Sequence, residues 1–433
     1  MRVLGIELRR SAALWTGLLV VLVGLGYFYG LPGPWGKGPD AWTEEWSMLA
    51  IWQRWLLNTL WPLALGAGAW QGRRDRRAKM DELLSTMPKS AFVRAMPAVV
   101  AMCVCATVAY LAIFLVGAIQ VIGNASYHHI GWLPIMLVGI LSMIAAVLFG
   151  MGIGRVLPYI LTAPIVAVLA FVATTLALVG TPETKSALDS VISHQLATLT
   201  PVLDAKQDAF VLVATRVEVA QSLWFLGLTV TGFGLLTFVK RKALALIPAV
   251  VAVAIALPLL PSSRAELYEQ DALAAALVCE DRVCVSRLHQ DHLHEVIAPA
   301  RQALDQLAKL PGGPTTVEEA RTSPSTLMDG MPLSAGVAYF HFEDYEFRLN
   351  ARRTILAGPL RQCAQDEELT QAIAKRSVVA SWFDGELRPV ASRGPHGPKV
   401  TELAEQMWQE LRALPVDQQP ARVASLRASA QEC

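Results

Sequence analysis

Charge is scarce in this chain. Only 17% of its 433 residues are Asp, Glu, Lys or Arg, and 54% are hydrophobic, whereas soluble domains carry about 25% charged residues. That scarcity excludes an ordinary soluble protein and points to the membrane. Catalytic signatures are missing too. There is no Gly-x-x-x-x-Gly-Lys-Ser/Thr phosphate loop and no HExxH pair, so neither nucleotide hydrolysis nor that kind of zinc hydrolysis is written into the chain. Gly150-Met-Gly-Ile-Gly154 copies a nucleotide loop only in spelling. It follows an apolar helix rather than a strand, where small residues let helices approach closely. No Ser/His/Asp set for nucleophilic catalysis can be assembled, and no enzyme activity is expected. The apolar segments hold few ionisable groups. Proton- or ion-coupled carriers keep such groups near the midplane, so a secondary transporter is disfavoured. The apolar run after Met1–Arg10 has no clear small-residue cleavage site, so no signal peptide is expected.

What is present is length of apolar chain. A helix needs about 20 apolar residues to cross a bilayer, and seven segments qualify: about Ala12–Tyr29, Leu49–Trp70, Ala95–Ile122, Trp132–Ile153, Tyr159–Val179, Leu223–Val239 and Ala243–Leu260. Arg54 and Asn58 interrupt the second, and Arg54 is expected to snorkel to the interface beside Trp52 and Trp55. Basic loops stay cytoplasmic. Arg2, Arg9 and Arg10 therefore place the N-terminus inside. Counting crossings puts Arg73–Arg94, Arg155 and Lys240–Lys242 on that same side. It leaves the charge-poor stretches Leu31–Met48, Gly123–Gly131 and Gly180–Ser222 outside. Within the last of these, Leu188, Val191, Ile192 and Gln195 share a helical stripe and Phe210–Val219 is partly apolar. One or two surface helices are expected there.

The two halves differ in kind. Residues 1–261 hold 19 Lys+Arg against 12 Asp+Glu, and residues 262–433 hold 18 against 24. The first is a membrane domain with basic ends. The second, after an odd number of crossings, is a mildly acidic extracytoplasmic domain, and nothing in either suggests a nucleic-acid partner. Ser286–Leu310 places Val296, Ile297, Ala300, Leu304, Leu307 and Ala308 on one side of a helix, ended by Pro311-Gly-Gly-Pro314. Gly336–Tyr345 is aromatic and strand-like. Glu368–Phe383 and Val400–Leu414 read as helices, and Asp417 as the cap of a last one to Ala430. The fold class is an α-helical polytopic membrane protein of about seven spans with an extracytoplasmic α+β domain.

Cysteine usage agrees with that topology. Cys103 and Cys105 lie in the third span and suit apolar packing. Cys279, Cys284, Cys363 and Cys433 all fall in the C-terminal half, where an oxidising compartment allows disulfides. Val278–Val285 reads as two strand ends around a polar turn, well placed for a Cys279–Cys284 bridge, which would leave Cys363 and Cys433 for a second. Four cysteines allow three pairings, and free thiols are the alternative. His289-Gln-Asp-His292-Leu-His294-Glu295 is the one metal-like cluster. Its simplest reading is a solvated helix face, with weak metal binding as the alternative.

One loop stands out between the second and third spans. Gln71-Gly-Arg73-Arg-Asp-Arg76-Arg77 is followed by Ala78-Lys-Met80-Asp-Glu-Leu83-Leu84-Ser-Thr-Met87-Pro88. Met80, Leu83, Leu84 and Met87 fall at i, i+3, i+4 and i+7, one apolar stripe of a short helix that Pro88 stops. With the basic N-terminal stub, the Glu82-Leu-Leu-Ser-Thr-Met-Pro-Lys-Ser90 run and the outer segment before the sixth span, the membrane half resembles the permease subunits of ABC-2 type transporters over about residues 1–240. The resemblance implies a coupling helix made of Met80, Leu83, Leu84 and Met87, with Arg73, Arg76 and Arg77 as electrostatic partners. It also implies a separate ATPase subunit that binds the ATP, a second permease chain, no cofactor in this chain, and movement of a hydrophobic or amphipathic substrate across the cell membrane. The family plan has six spans and a cytoplasmic C-terminus, so the seventh span and the outer domain are additions. A membrane-anchored extracytoplasmic binding or sensor protein is the alternative reading.

Overall fold

The computed structural model of the chain describes residues 12–30, 42–74, 90–179, 192–204, 209–237, 242–263, 265–321, 334, 336–342, 344–359, 366–390 and 397–430. The first half is a bundle of long helices: α1 (Ala13–Tyr29), α2 (Trp46–Gly72), α3 (Ala91–Asn124), α4 (Trp132–Val156) and α5 (Thr162–Val179). A short α6 (His194–Thr198) and a strand β1 (Val211–Val213) precede α7 (Thr215–Thr237) and α8 (Ile247–Leu259), the last entered through a 3₁₀ turn at Lys242–Leu246. Among the described residues, five helices are long and apolar enough to cross a membrane: α3, α4, α5, α7 and α8 with its 3₁₀ turn. The expected count of seven is thus not reached on length and hydropathy alone. α1 is apolar but has 17 residues, and α2, though 27 residues long, carries Gln53, Arg54 and Asn58. The helices are compatible with a membrane-embedded protein.

α4 is the centre of the bundle, because small residues let both neighbours come to backbone contact. A Cβ on Gly150 would collide with the Leu65 carbonyl oxygen of α2, and one on Gly154 with that of Ala69. α2 answers with Gly68 and Gly72, which lie against the carbonyls of Val147 and Met151. On its other side, α4 meets α7 at Gly232. The glycine run that mimics a nucleotide loop is therefore a helix-packing surface. Pro62 interrupts α2 and cannot donate to the carbonyl of Asn58, four residues back. The Thr174 hydroxyl of α5 donates to that oxygen at 3.4 Å.

Contacts sort the helix ends into two groups. At one end the Ala12 amide donates to Gln71 (3.3 Å), Arg73 donates to the Tyr159 carbonyl (3.3 Å), and Phe92 meets Phe233 edge to face. Arg155 and Lys242 belong to helix ends of that group. The opposite end holds the start of α2, the α3–α4 turn and the link from α8 into the C-terminal half.

That half begins at the bundle itself. β2 (Tyr268–Gln270) pairs antiparallel with β1, Val211 against Gln270. β3 (Leu277–Glu280) and β4 (Val283–Ser286) form a hairpin; α9 (Leu293–Leu307) then returns the chain to β5 (Thr316–Glu319), which lies parallel to β4, and β6 (Val337–Phe340) lies parallel to β5. α10 (Tyr345–Leu349), α11 (Ala351–Ala357), α12 (Asp366–Asp384), α13 (Gly397–Ala413) and α14 (Gln419–Ser429) complete it. Its own core gathers Val283, Val285, Val296, Leu304, Leu307, Val317, Phe340, Ile355, Val378, Val400 and Val423. The small α+β unit matches the expected composition. Two buried or half-buried arginines hold the last carbonyls of α11: Arg376 donates to Gly358 (2.9 Å) and Arg427 to Leu356 (3.1 Å). A cation suits that negative helix end, although burial pulls Arg427 down to about 10.

Several local expectations change. The Phe210–Val219 stretch is not a surface helix. It is strand β1 followed directly by the first turn of α7, because pairing with β2 satisfies its backbone. Of the Leu188, Val191, Ile192 and Gln195 stripe, Leu188 and Val191 lie outside the described residues. Asp417 does not cap the last helix; Gln418 occupies that position without a side-chain bond. Ala308 is exposed, past the end of α9.

Candidate functional site

Among the described residues, three polar clusters occur where the bundle meets the C-terminal half. The deepest is built on Arg54, two turns into α2 and completely buried. A guanidinium removed from water costs several kcal/mol unless its donors are used. Here Nε donates to the Pro201 carbonyl at 2.7 Å and one terminal nitrogen to Gln221 Oε1 of α7 at 2.9 Å; the other reaches the Ile135 carbonyl of α4 at 3.5 Å. Gln221 in turn donates to the carbonyls of Thr198 (2.8 Å) and Thr200 (3.2 Å). Glu218, nearly buried one turn earlier on α7, shares the field of Arg54. One cation thus gathers three helices and the 198–201 loop. Above it lies a shallow cleft lined by Leu178, His194, Thr198, Asp204 and Tyr268. The expected snorkelling of Arg54 does not occur, because loop carbonyls fold down onto it and take the place of water.

The second cluster is at the start of α2. Glu45 caps that helix by accepting from the amides of Ser47 (2.8 Å) and Met48 (2.5 Å). His129, from the α3–α4 turn, puts Nε2 2.9 Å from Glu45 Oε1, while its Nδ1 accepts from the Gly131 amide at 3.1 Å. Asp271, just after β2, places Oδ2 3.8 Å from that same Nδ1. Tyr127 stacks on the imidazole with centroids 5.0 Å apart. Trp46 donates to His128 (3.0 Å) and stacks with Trp132, and Arg348 of α10 pairs with Glu44 at 3.0 Å.

The third cluster lies at the carboxyl ends of the parallel strands, the edge where open α/β sheets bind ligands. Ser286 ends β4, Glu319 ends β5, and His289 lies between them. Glu319 accepts from the Ser286 amide (2.6 Å) and contacts His289 Nδ1 (2.5 Å). The Ser286 hydroxyl also approaches Nδ1, at 3.3 Å. A nucleophile relay needs the serine and the carboxylate on opposite ring nitrogens, and here both face the same one. Ser286 is wholly buried. Phe342 stacks on His289 at 4.5 Å and Phe210, ahead of β1, meets it edge-on. The group is a buried brace between sheet and bundle.

The residues singled out from sequence fare differently. Cys279 and Cys284 are paired in a disulfide across the β3–β4 hairpin, whose two turn residues Asp281 and Arg282 have φ of 48° and 68°. Cys363 and Cys433 lie outside the described residues. Cys103 and Cys105 are unbridged and half-buried. Among the described residues no His/Cys/Asp/Glu group has the geometry to hold a metal. His289 turns inward to Glu319, while His292 and His294 stay on the exposed face with Glu295. Met80, Leu83, Leu84, Met87, Arg76 and Arg77 lie outside the described residues. Arg73 is buried, bonded to the Tyr159 carbonyl and lying over the Trp70 ring at 3.8 Å.

Sequence reading missed Gln221, Glu218, Glu45, His129 and Asp271 as partners. Arg54 and Gln221 are 167 positions apart, so no spacing rule joins them. The available signal was Arg54 itself, a charge inside an apolar stretch. No protein-family model, curated protein or solved structure matches the chain.

Proposed function

We propose that the chain is the non-catalytic permease subunit of an ABC-2 type transporter. It moves a hydrophobic or amphipathic substrate across the cell membrane with energy from a separate ATPase, and it pairs with a second permease. The N-terminus and the basic helix ends are cytoplasmic, and residues 262–433 are extracytoplasmic. One observation carries the reading: the basic, amphipathic Gln71–Ser90 run joins α2 to α3 at the bundle end away from the C-terminal half. In the sequence that run carries the Met80, Leu83, Leu84 and Met87 stripe, the kind of handle a soluble motor would grip. The test is Leu83→Asp or Leu84→Asp. A carboxylate on the stripe must be desolvated to dock, at several kcal/mol, while each apolar contact contributes only about 1.5–3 kcal/mol. The variants should insert normally yet lose the co-purifying ATPase and the transport activity. Retention of both by Leu83→Asp would remove this helix from the mechanism.

A second reading, an anchored extracytoplasmic sensor, draws support from the β1–β2 pairing, which fastens the C-terminal half to α7 where a tether would leave it loose. Purification in mild detergent separates the two, since only a permease should bring an ATPase with it.

A further inference from the structure

We propose that His129 is a proton-operated clasp that tightens the junction between the helical bundle and the C-terminal half when the surrounding solution is acidified. The inference rests on which atoms surround the ring. The Gly131 amide donates to Nδ1, so Nδ1 carries no proton in this arrangement, and the ring proton sits on Nε2, directed to Glu45 Oε1. The Ser47 hydroxyl lies 3.3 Å from the same Nε2. Asp271 uses Oδ1 to accept from the amides of Leu273 (3.0 Å) and Ala274 (3.1 Å), which leaves Oδ2 facing Nδ1. Glu45 belongs to the bundle and Asp271 to the C-terminal half. A second proton on His129 turns Nδ1 from acceptor to donor. It gives up the Gly131 amide and gains a charge-assisted bond to Asp271, which is about twice as strong as a neutral one. The imidazolium then bridges two carboxylates from the two halves, both almost wholly shielded from water. Histidine is the side chain suited to change charge between about pH 5 and 8.

Other charged or titratable groups surround the ring. Tyr127 stacks on it and His128 is engaged with Trp46. Arg287, after β4, is a cation whose field reaches Tyr127, as do those of Asp271 and Glu45; the cation works against a second ring proton and the two carboxylates work for it. The closing motion needed is small, since 3.8 Å must shorten to about 2.8 Å. Asp271 directly follows β2, so the pull is transmitted to the β1–β2 ladder and to α7, which β1 leads into.

Hydrogen exchange of the full chain in detergent, compared at about pH 8 and about pH 5.5 after correction for intrinsic rates, tests the clasp. Amides of 209–214 and 267–276 should exchange about three- to tenfold more slowly at the acidic pH. His129→Gln, which keeps a donor for Glu45 but cannot gain charge, should abolish that difference. Asp271→Asn, which keeps the amide-accepting oxygen and loses the anion, should abolish it too. Equal protection at both pH values in the parent overturns the proposal, as does a pH difference that survives in both variants. If His129→Gln disturbs the fold, seen as lost protection already at about pH 8, Asp271→Asn decides alone.

Discussion

Arg54 shows how one residue can organise the interior of a helical bundle. Its guanidinium is a planar fork, and each arm meets an oxygen from a different piece of chain: Pro201, Gln221 and Ile135. Truncation would strand those acceptors in a dry environment. Hydrogen bonds to charged groups contribute about 1.5–3 kcal/mol each, so Arg54→Ala should destabilise by about 3 kcal/mol or more. The expected reading is a clear drop in the unfolding temperature of the purified protein. Arg54→Lys keeps the charge but has no fork and should recover only part of the loss. Melting of Arg54→Ala together with the parent would show that the 198–201 loop does not depend on it. A second residue-scale effect lies at the β3–β4 turn. Arg282 holds a φ of 68°, a left-handed conformation that costs a non-glycine residue about 1–2 kcal/mol. Arg282→Gly should therefore stabilise the C-terminal half by up to about 1 kcal/mol, provided the reduced and oxidised forms are melted separately.

The element that matters most is α4. Its glycines were legible as a packing surface from sequence, because Gly150, Gly152 and Gly154 follow an apolar helix. Which helices they receive was not legible, since Gly68 and Gly72 of α2 and Gly232 of α7 are distant in the chain. Gly150→Ala should force α2 and α4 apart, because the new Cβ would overlap the Leu65 carbonyl. Overpacking costs about 1–3 kcal/mol, and backbone, unlike a flexible side chain, cannot swing away. Gly26→Ala is the matched control: nothing lies within 4 Å of a Cβ there. Expression and size-exclusion profiles in detergent should separate the two variants. Similar loss in both would mean that helix propensity or insertion, rather than the α2–α4 contact, sets the outcome.

At the scale of the whole molecule, the helix ends form two groups and the C-terminal half sits with one of them. If the basic group is cytoplasmic, Ser85→Cys should be shielded from an impermeant thiol reagent in intact cells and Ser262→Cys should react. The reverse pattern would invert the protein, and equal reactivity would break the odd crossing count. The Cys279–Cys284 bridge closes a loop of only a few residues. Its removal in Cys279→Ser/Cys284→Ser should cost about 2 kcal/mol, a shift in melting of the C-terminal half without loss of the bundle. Both thiols recovered free from the parent by non-reducing peptide mapping would contradict the bridge.

The sequence by itself determined the apolar, helix-rich character of the first half, most of the helices to within a few residues and the Cys279–Cys284 hairpin. Each of these depends on local composition or short periodicity, which a single chain displays directly. Tertiary structure alone decided that Arg54 is buried, that Phe210–Val219 divides into strand and helix, and that Glu45, His129 and Asp271 meet. It also set His289 against Glu319 rather than in a metal cluster with His292 and His294. The physical reason is common to all four. A polar group's fate in a poorly solvated interior depends on which distant partner satisfies it, and that partner is chosen by how helices and strands pack.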